Sequence, residues 1–145
     1  MNQALKSYAK YVDLNKTILV IDDDPDYQLI IGNMLRSNGY KVEFLLDGNI
    51  GPATAMAKKC DMVLLDIEMP ETNGVDVAAQ LKANPLTKEI PIILISAHLE
   101  GDKLFKSSKA NGFMHKPFLL PWLLKKILAL LQERSNLKID PELRF

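Results

Sequence analysis

The chain has 145 residues, which suits one domain with a single hydrophobic core. Basic and acidic residues number 18 each, so the charge balance does not call for nucleic acid or an anionic membrane as a partner. One cysteine excludes an internal disulfide, and no apolar stretch is long enough to span a bilayer, so we expect a cytoplasmic protein without membrane insertion.

Strand-like and helix-like segments alternate along residues 17–133. The predicted strands are apolar or β-branched runs: Thr17–Ile21, Lys41–Leu45, Met62–Leu65, Pro91–Ile95 and Gly112–His115. The predicted helices have apolar residues at helical spacing or clear start and stop signals: Asp24 to Asn38, Pro52–Lys59, Val75 to Asn84, Glu100–Ala110 and Pro121–Glu133. This alternation predicts an α/β fold, in which five helices cover both faces of a five-stranded parallel sheet.

The first and third predicted strands both end in acidic residues. The first leads into Asp22, Asp23 and Asp24, and the third leads into Asp66. In the strand order 2-1-3-4-5 these two strands are neighbours, and ligands bind at the carboxyl ends where the order reverses. Asp24 is explained as a helix N-cap, but a cluster of the remaining carboxylates requires a compensating cation. Oxygen ligands without cysteine or histidine favour Mg²⁺.

The fourth and fifth predicted strands add a hydroxyl and an ammonium group at the same edge. The fourth strand runs into Ser96, and the fifth runs into Lys116. Carboxylates, a hydroxyl, an ammonium group and a divalent cation are the groups that handle a phosphoryl group in proteins. The sequence therefore predicts phosphoryl chemistry at this edge of the sheet.

An ordered set of motifs resembles the receiver domain of bacterial two-component response regulators. The motifs are Ile18-Leu-Val-Ile-Asp-Asp-Asp-Pro25, Val63-Leu-Leu-Asp-Ile-Glu-Met-Pro70, Gly74, Ile90-Pro-Ile-Ile-Leu-Ile-Ser-Ala97 and Asn111-Gly-Phe-Met-His-Lys-Pro-Phe118. The resemblance covers residues 17–133 and implies the flavodoxin-like topology of the family. It implies a stand-alone, chemotaxis-regulator-like signalling protein rather than an enzyme. Residues 1–16 would be an N-terminal extension with helical spacing, and residues 134–145 a C-terminal tail.

The resemblance also assigns roles to the acidic residues. Asp66 would be the phosphoacceptor that takes a phosphoryl group from a histidine kinase or a phosphotransfer protein. Asp23 and Asp66 would bind Mg²⁺ directly, together with the main-chain carbonyl of Glu68. Asp22 would act mainly through a water on the metal.

Other residues would respond to the phosphoryl group. Lys116 would pair with its oxygens, and the Ser96 hydroxyl would reach them. Phe113 would be the switch aromatic that turns inward when Ser96 moves. Lys116-Pro117 is a candidate cis peptide bond.

Two residues at the entrance are predicted to tune the lifetime of the phosphoryl group. Glu68 follows the phosphoacceptor by two positions, and His98 follows Ser96 by two. We expect Glu68 and His98 to interact and to alter the rate at which the phosphoryl group is lost to water.

The last predicted helix is apolar nearly all round, which is typical of a deeply buried or interfacial helix. Leu120, Trp122 and Leu128 stand where the resembled family commonly has polar residues. We therefore expect the surface of helix 4, strand 5 and helix 5 to contact a downstream protein effector or a second copy of the chain. Direct contact with nucleic acid is not expected, because the chain has no basic stripe.

Two alternative functions remain open at this point. The first is a receiver module excised from a hybrid histidine kinase or a multidomain regulator. The second is an Mg²⁺-dependent aspartyl-phosphate phosphatase of the haloacid dehalogenase type. Those enzymes have a second aspartate two residues after the nucleophile, where this chain has Glu68.

Overall fold

Five parallel strands form one sheet in the computed structural model, which describes residues 15–134. The strands are β1 (Thr17–Ile21), β2 (Lys41–Leu45), β3 (Met62–Asp66), β4 (Ile92–Ser96) and β5 (Gly112–His115). Their order is β2-β1-β3-β4-β5, so the predicted flavodoxin-like topology is confirmed. The central strands β1, β3 and β4 are almost completely buried, as expected for a parallel sheet covered on both faces.

Five helices connect or follow the strands. They are α1 (Pro25–Ser37), α2 (Gly51–Ala57), α3 (Gly74–Ala83), α4 (Gly101–Ser107) and α5 (Leu120–Arg134). One hydrophobic cluster lies between the sheet and helices α1 and α5, and it includes Ile31, Leu35 and Ile127. A second cluster lies on the other face, where Val77 and Leu81 of α3 pack.

Helix α1 begins and ends where the sequence indicates. The Asp24 side chain accepts hydrogen bonds from the backbone N–H groups of Asp26 and Tyr27, as an N-cap does. At the other end Asn38 is the C-cap, and Gly39 has a φ of 96°, which glycine adopts without strain. These local signals fix the position of the β1–α1 loop, which carries the first acidic residues.

Several predicted boundaries are shifted. Helix α4 is shorter than predicted and ends at Ser107, where the Ser108 hydroxyl bonds to the Phe105 carbonyl and competes with the helical pattern. A short 3₁₀ helix, Gly48–Ile50, precedes α2 and was not predicted. Helix α5 begins at Leu120 and extends to Arg134, one residue beyond each predicted end.

The predictions for residues 1–14 and 135–145 lie outside the described part of the chain. Within residues 15–134, no helix combines the length and the apolar character that a membrane span requires.

Candidate functional site

Three carboxylates meet at the carboxyl edge of β1 and β3. Asp22, Asp23 and Asp66 each contribute one oxygen to a set in which all oxygens lie within 4.8 Å of one another. Asp22 and Asp66 are buried, whereas Asp23 is exposed to solvent. The acidic ends of β1 and β3, which the sequence predicts to be neighbours, are therefore adjacent in the structure.

Burial raises the pKa of the Asp66 carboxyl to about 7. The positive charge of Lys116 opposes this rise, whereas the negative charges of Asp22 and Glu68 add to it. The backbone N–H of Glu68 also donates to Asp66 Oδ1 at 3.3 Å and favours the ionised form. A compensating cation would lower the pKa of this carboxyl.

The donor set fits a hard divalent cation such as Mg²⁺. All three clustered side chains offer carboxylate oxygens, and two of them are buried close to each other, where like charges are unfavourable without a counter-charge. Glu68 follows the Asp66 carboxylate by two residues, and its backbone N–H contacts Asp66 Oδ1.

Lys116 reaches the acidic cluster from the loop after β5. Its Nζ lies 3.1 Å from Asp22 Oδ2, although the two residues are 94 positions apart in sequence. The Lys116-Pro117 peptide bond is cis, as the sequence predicts. The same Nζ also lies over the ring of Tyr27, 3.9 Å from the ring centroid.

Ser96 is the centre of a small hydrogen-bond network. Its hydroxyl donates to Glu68 Oε1 and accepts from the backbone N–H of His98 at 2.9 Å. The His98 ring accepts a hydrogen bond from the Glu100 N–H at Nδ1. Within residues 15–134, Ser96 connects the Glu68 carboxylate to the backbone N–H of His98, and an interaction between the two side chains stays a prediction.

Phe113 lies on β5 next to the start of α4 and is partly buried. Its ring stacks on Phe105 with 5.8 Å between ring centroids. A methyl group added at Gly101 would come within 2.9 Å of both Phe113 Cζ and Ser96 Oγ. The absence of a side chain at Gly101 thus leaves the aromatic ring and the hydroxyl close to each other.

The three predicted interface residues of α5 differ in exposure. Trp122 is 52% exposed, and Leu120 is partly exposed. Leu128 is only 3% exposed, but it belongs to neither hydrophobic cluster of residues 15–134, so its assignment to an interface stays a prediction. The apolar pattern of a helix does not by itself distinguish a core position from a binding position.

Sequence reasoning missed two residues around the site, Tyr27 and Gln28. The Gln28 side chain donates to the Asp22 carbonyl at 2.9 Å and to the Leu45 carbonyl, and so ties the β1–α1 loop to β2. Its position three residues before the buried Ile31 was an available signal, because a polar residue on an apolar helix face must find buried partners. No sequence signal indicates the contact of Tyr27 with Lys116.

A family profile and two individual proteins that are similar to this chain all indicate the same kind of domain. The sequence profile of the family described as the response regulator receiver domain matches residues 18–128. Response regulator protein TodT of Pseudomonas putida is 35% identical over 138 residues, which make up 91% of this chain and 60% of TodT. The DNA-binding dual master transcriptional regulator RpaA of Synechocystis is 30% identical over 122 residues, 83% of this chain and 51% of RpaA. The chain thus spans about half the length of these curated relatives.

Solved structures show the same similarity. A CheY-like receiver domain protein from Methanospirillum hungatei has a TM-score of 0.76 and 25% identity, and the match covers 83% of this chain and 97% of that one. Response regulator TrrA from Thermotoga maritima, solved in complex with Mg²⁺ and BeF, has a TM-score of 0.73 and 30% identity, with 79% and 98% of the two chains covered.

Proposed function

Because the chain belongs to the response regulator receiver domain family, we propose that Asp66 accepts a phosphoryl group from the phosphohistidine of a histidine kinase or a phosphotransfer protein. The observation that carries this proposal is the cluster of Asp22, Asp23 and Asp66 oxygens within 4.8 Å, with Lys116 Nζ 3.1 Å from Asp22. A buried carboxylate next to an ammonium group and a cation site is equipped to attack phosphorus and to stabilise the charge that develops.

In the proposed reaction an Asp66 carboxylate oxygen forms a bond to phosphorus while the bond from phosphorus to the histidine nitrogen breaks. The product is an acyl phosphate, and the electron pair of the broken bond stays on the imidazole, which leaves as a neutral group because its other ring nitrogen carries a proton. Lys116, which pairs with Asp22 in the structure, turns to the phosphoryl oxygens and neutralises part of their charge.

Mg²⁺ would be held by Asp23, Asp66 and the Glu68 carbonyl, with Asp22 as the nearby carboxylate, and would supply positive charge for the phosphoryl oxygens. Asp23 is the exposed member of the cluster and faces the solvent from which the ion arrives.

Phosphorylation changes the signalling surface through Ser96 and Phe113 in this proposal. The Ser96 hydroxyl leaves Glu68 and donates to the phosphoryl group, because charged phosphoryl oxygens are strong acceptors. The Phe113 ring, which already borders Gly101, then turns into the space that the Ser96 hydroxyl leaves. The changed surface of α4, β5 and α5 contacts a downstream protein effector or a second copy of the chain, with Leu120 and Trp122 among the contacting residues.

Glu68 and His98 set the lifetime of the acyl phosphate. Glu68 supplies an acceptor for Ser96 and a carboxylate next to the phosphoryl position, whereas the exposed His98 side chain borders the entrance.

The decisive experiment is Mg²⁺-dependent labelling with acetyl phosphate, combined with binding of beryllofluoride, which stands in for the phosphoryl group. Wild-type protein should be labelled, and Asp66→Asn should not be. Asp26→Asn is the matched control, since it makes the same change at an exposed residue in the first turn of α1. Labelling that persists in Asp66→Asn would overturn the mechanism.

A second candidate function is that of a receiver module within a longer regulator. It is favoured by the relatives, because the match covers 51% of RpaA and 60% of TodT. Sequencing the complete reading frame distinguishes this candidate from a stand-alone protein. Location in the cytoplasm, where a kinase would meet either form, stays a prediction.

A further inference from the structure

We propose that Tyr27 is a positioning residue for Lys116: the face of its ring holds the ammonium group at the edge of the acidic cluster. This inference rests on the proposed function, which gives Lys116 its task. Lys116 Nζ lies 3.9 Å from the centroid of the Tyr27 ring and 3.1 Å from Asp22 Oδ2. The ammonium group is thus held by an anion and by the negative face of an aromatic ring.

The face of an aromatic ring supports the ammonium group without the net negative charge that another carboxylate would add. Lysine has a flexible four-carbon side chain, so its ammonium group needs a defined support to stay at one place. A second carboxylate would provide that support but would compete with the phosphoryl group for the ammonium charge. An aromatic face attracts the cation without carrying a net charge, and so leaves Lys116 free to exchange Asp22 for phosphoryl oxygens.

The hydroxyl group of Tyr27 does not account for the contact with Lys116. The hydroxyl oxygen is buried, and no hydrogen-bond partner for it is found within residues 15–134. A buried hydroxyl without a partner is unfavourable compared with a hydrogen atom at the same place. The aromatic ring is therefore the part of Tyr27 that acts on Lys116.

The Tyr27 ring and the Lys116 side chain border the same apolar cavity. Tyr27 and Lys116 line a cavity of about 430 Å³ together with Ile30, Phe118 and Leu120. Since Tyr27 belongs to α1 and Lys116 follows β5, the packing of α1 on the sheet decides where the lysine side chain lies. A smaller side chain without a ring would let the lysine stem move into this cavity.

The first test uses metal-free, unphosphorylated protein, so that it does not depend on the proposed function. The ε-methylene protons of Lys116 should show an upfield ring-current shift in NMR spectra of the wild type and of Tyr27→Phe, which keeps the ring. Tyr27→Leu fills the core without a ring and should lose the shift. A Lys116 signal that is the same in the wild type and in folded Tyr27→Leu would overturn the contact.

The second test measures the effect on the phosphoryl site. Tyr27→Leu should bind beryllofluoride in saturating Mg²⁺ about threefold to thirtyfold more weakly than the wild type. Tyr27→Phe should restore the affinity. In a Lys116→Met background, Tyr27→Leu should have no further effect, because the group that the ring holds is gone.

The possible outcomes distinguish a failure of the role of Tyr27 from a failure of the proposed function. An equal loss with and without Lys116 would assign Tyr27 a purely structural role and overturn the inference. A loss in Tyr27→Phe as large as that in Tyr27→Leu would also overturn it, since the ring would then not be the active part. If wild-type protein binds no beryllofluoride while the ring-current shift is present, the proposed function fails and the contact stands.

Discussion

At Asp66, burial favours the protonated carboxyl, whereas the proposed reaction requires the ionised carboxylate. The carboxyl is 6% exposed, and its pKa is raised from 3.8 to about 7, first by burial. An acid with this pKa is partly protonated near neutral pH when no metal ion is present. The proposed nucleophile must be ionised, so the acidic cluster and the proposed cation would have to act together.

The raised pKa predicts a specific pH dependence of stability in metal-free protein. Folded protein retains the Asp66 proton up to about pH 7, whereas the unfolded chain releases it near 3.8. The stabilisation from this proton is complete below about pH 4 and is lost as the pH rises to 7, with a slope of at most about 1.4 kcal/mol per pH unit. Urea unfolding in EDTA at several pH values measures this loss of stability.

Asp66→Asn is the reference for that measurement, because asparagine does not titrate. The free energy of unfolding of this variant minus that of the wild type should grow between pH 4 and 7 and then level off. A difference that is constant over this range would contradict the assigned pKa.

Ser96 links the two residues that we propose as lifetime determinants. Glu68→Ala should slow the loss of the phosphoryl group about threefold to tenfold, since the Ser96 hydroxyl then donates to the phosphoryl oxygens without a competing acceptor. His98→Ala should have a smaller effect, because the His98 backbone N–H still donates to Ser96. The decay of ³²P-labelled protein gives both rates, and unchanged decay in both variants would refute this role.

At the scale of elements, the start of α3 lies directly against the end of β3. A Cβ atom at Gly74 would lie 2.2 Å from the Asp66 carbonyl oxygen and 2.8 Å from Ile67 Cα. Both are backbone atoms and have little room to move. Only glycine allows the helix to start this close to Asp66, the proposed phosphoacceptor.

Gly74→Ala should therefore lower the free energy of unfolding by about 1–3 kcal/mol and weaken Mg²⁺ binding, because the Asp66 backbone must shift. Gly112→Ala is the matched control: its Cβ would meet the flexible Lys126 side chain at 3.3 Å, which costs less. Urea unfolding and magnesium titration measure the two effects. Equal losses in both variants would show that the contact with β3 is unimportant.

The exposed side of α5 carries the proposed contact with a second copy of the chain. Trp122→Ala should raise the dissociation constant of a beryllofluoride-loaded dimer by about tenfold, since a buried tryptophan often dominates an interface. Leu86→Ala, which removes a 74% exposed apolar side chain from another surface, is the control. Sedimentation that finds only monomers in both the free and the loaded wild type would exclude self-association.

At the scale of the whole molecule, Asp61 joins the two ends of the described chain. Asp61 Oδ2 accepts from the Thr17 N–H at 2.8 Å, and Oδ1 lies 3.7 Å from Lys16 Nζ and 3.8 Å from Arg134 Nη1. The Arg134 guanidinium also donates to the Asp61 carbonyl at 2.9 Å. The start of β1, the start of β3 and the end of α5 are thereby held at the edge opposite the acidic cluster.

Asp61→Ala should lower the free energy of unfolding by about 1–2 kcal/mol, because the Thr17 N–H and the two cations lose their shared acceptor. Asp61→Asn keeps an acceptor for Thr17 and should lose less. The urea midpoints of the two variants provide the comparison. An unchanged midpoint in Asp61→Ala would mean that this link does not contribute to stability.

Much of the fold and part of the site could be predicted from sequence because the signals are local. Apolar runs gave the five strands, Asp24 and Gly39 marked the ends of α1, and the acids at the ends of β1 and β3 indicated a cation site. The common edge of a parallel sheet then brings strand ends together, whichever loops connect them. The predicted end of α4 lies three residues beyond the observed one, Ser107, because serine side chains compete there with the helical backbone.

The pairing of side chains from different elements depends on three-dimensional packing and could not be predicted from local pattern. The rotation of α5 about its axis buries Ile127 and exposes Trp122, although both belong to an apolar pattern. The approach of Glu68 to Ser96, and of Tyr27 to Lys116, depends on how loops and α1 pack on the sheet. The chemical groups that reach the functional edge could be predicted from the amino-acid sequence alone, because local pattern sets the ends of the strands. Their partners follow from packing, which depends on residues far apart in the chain.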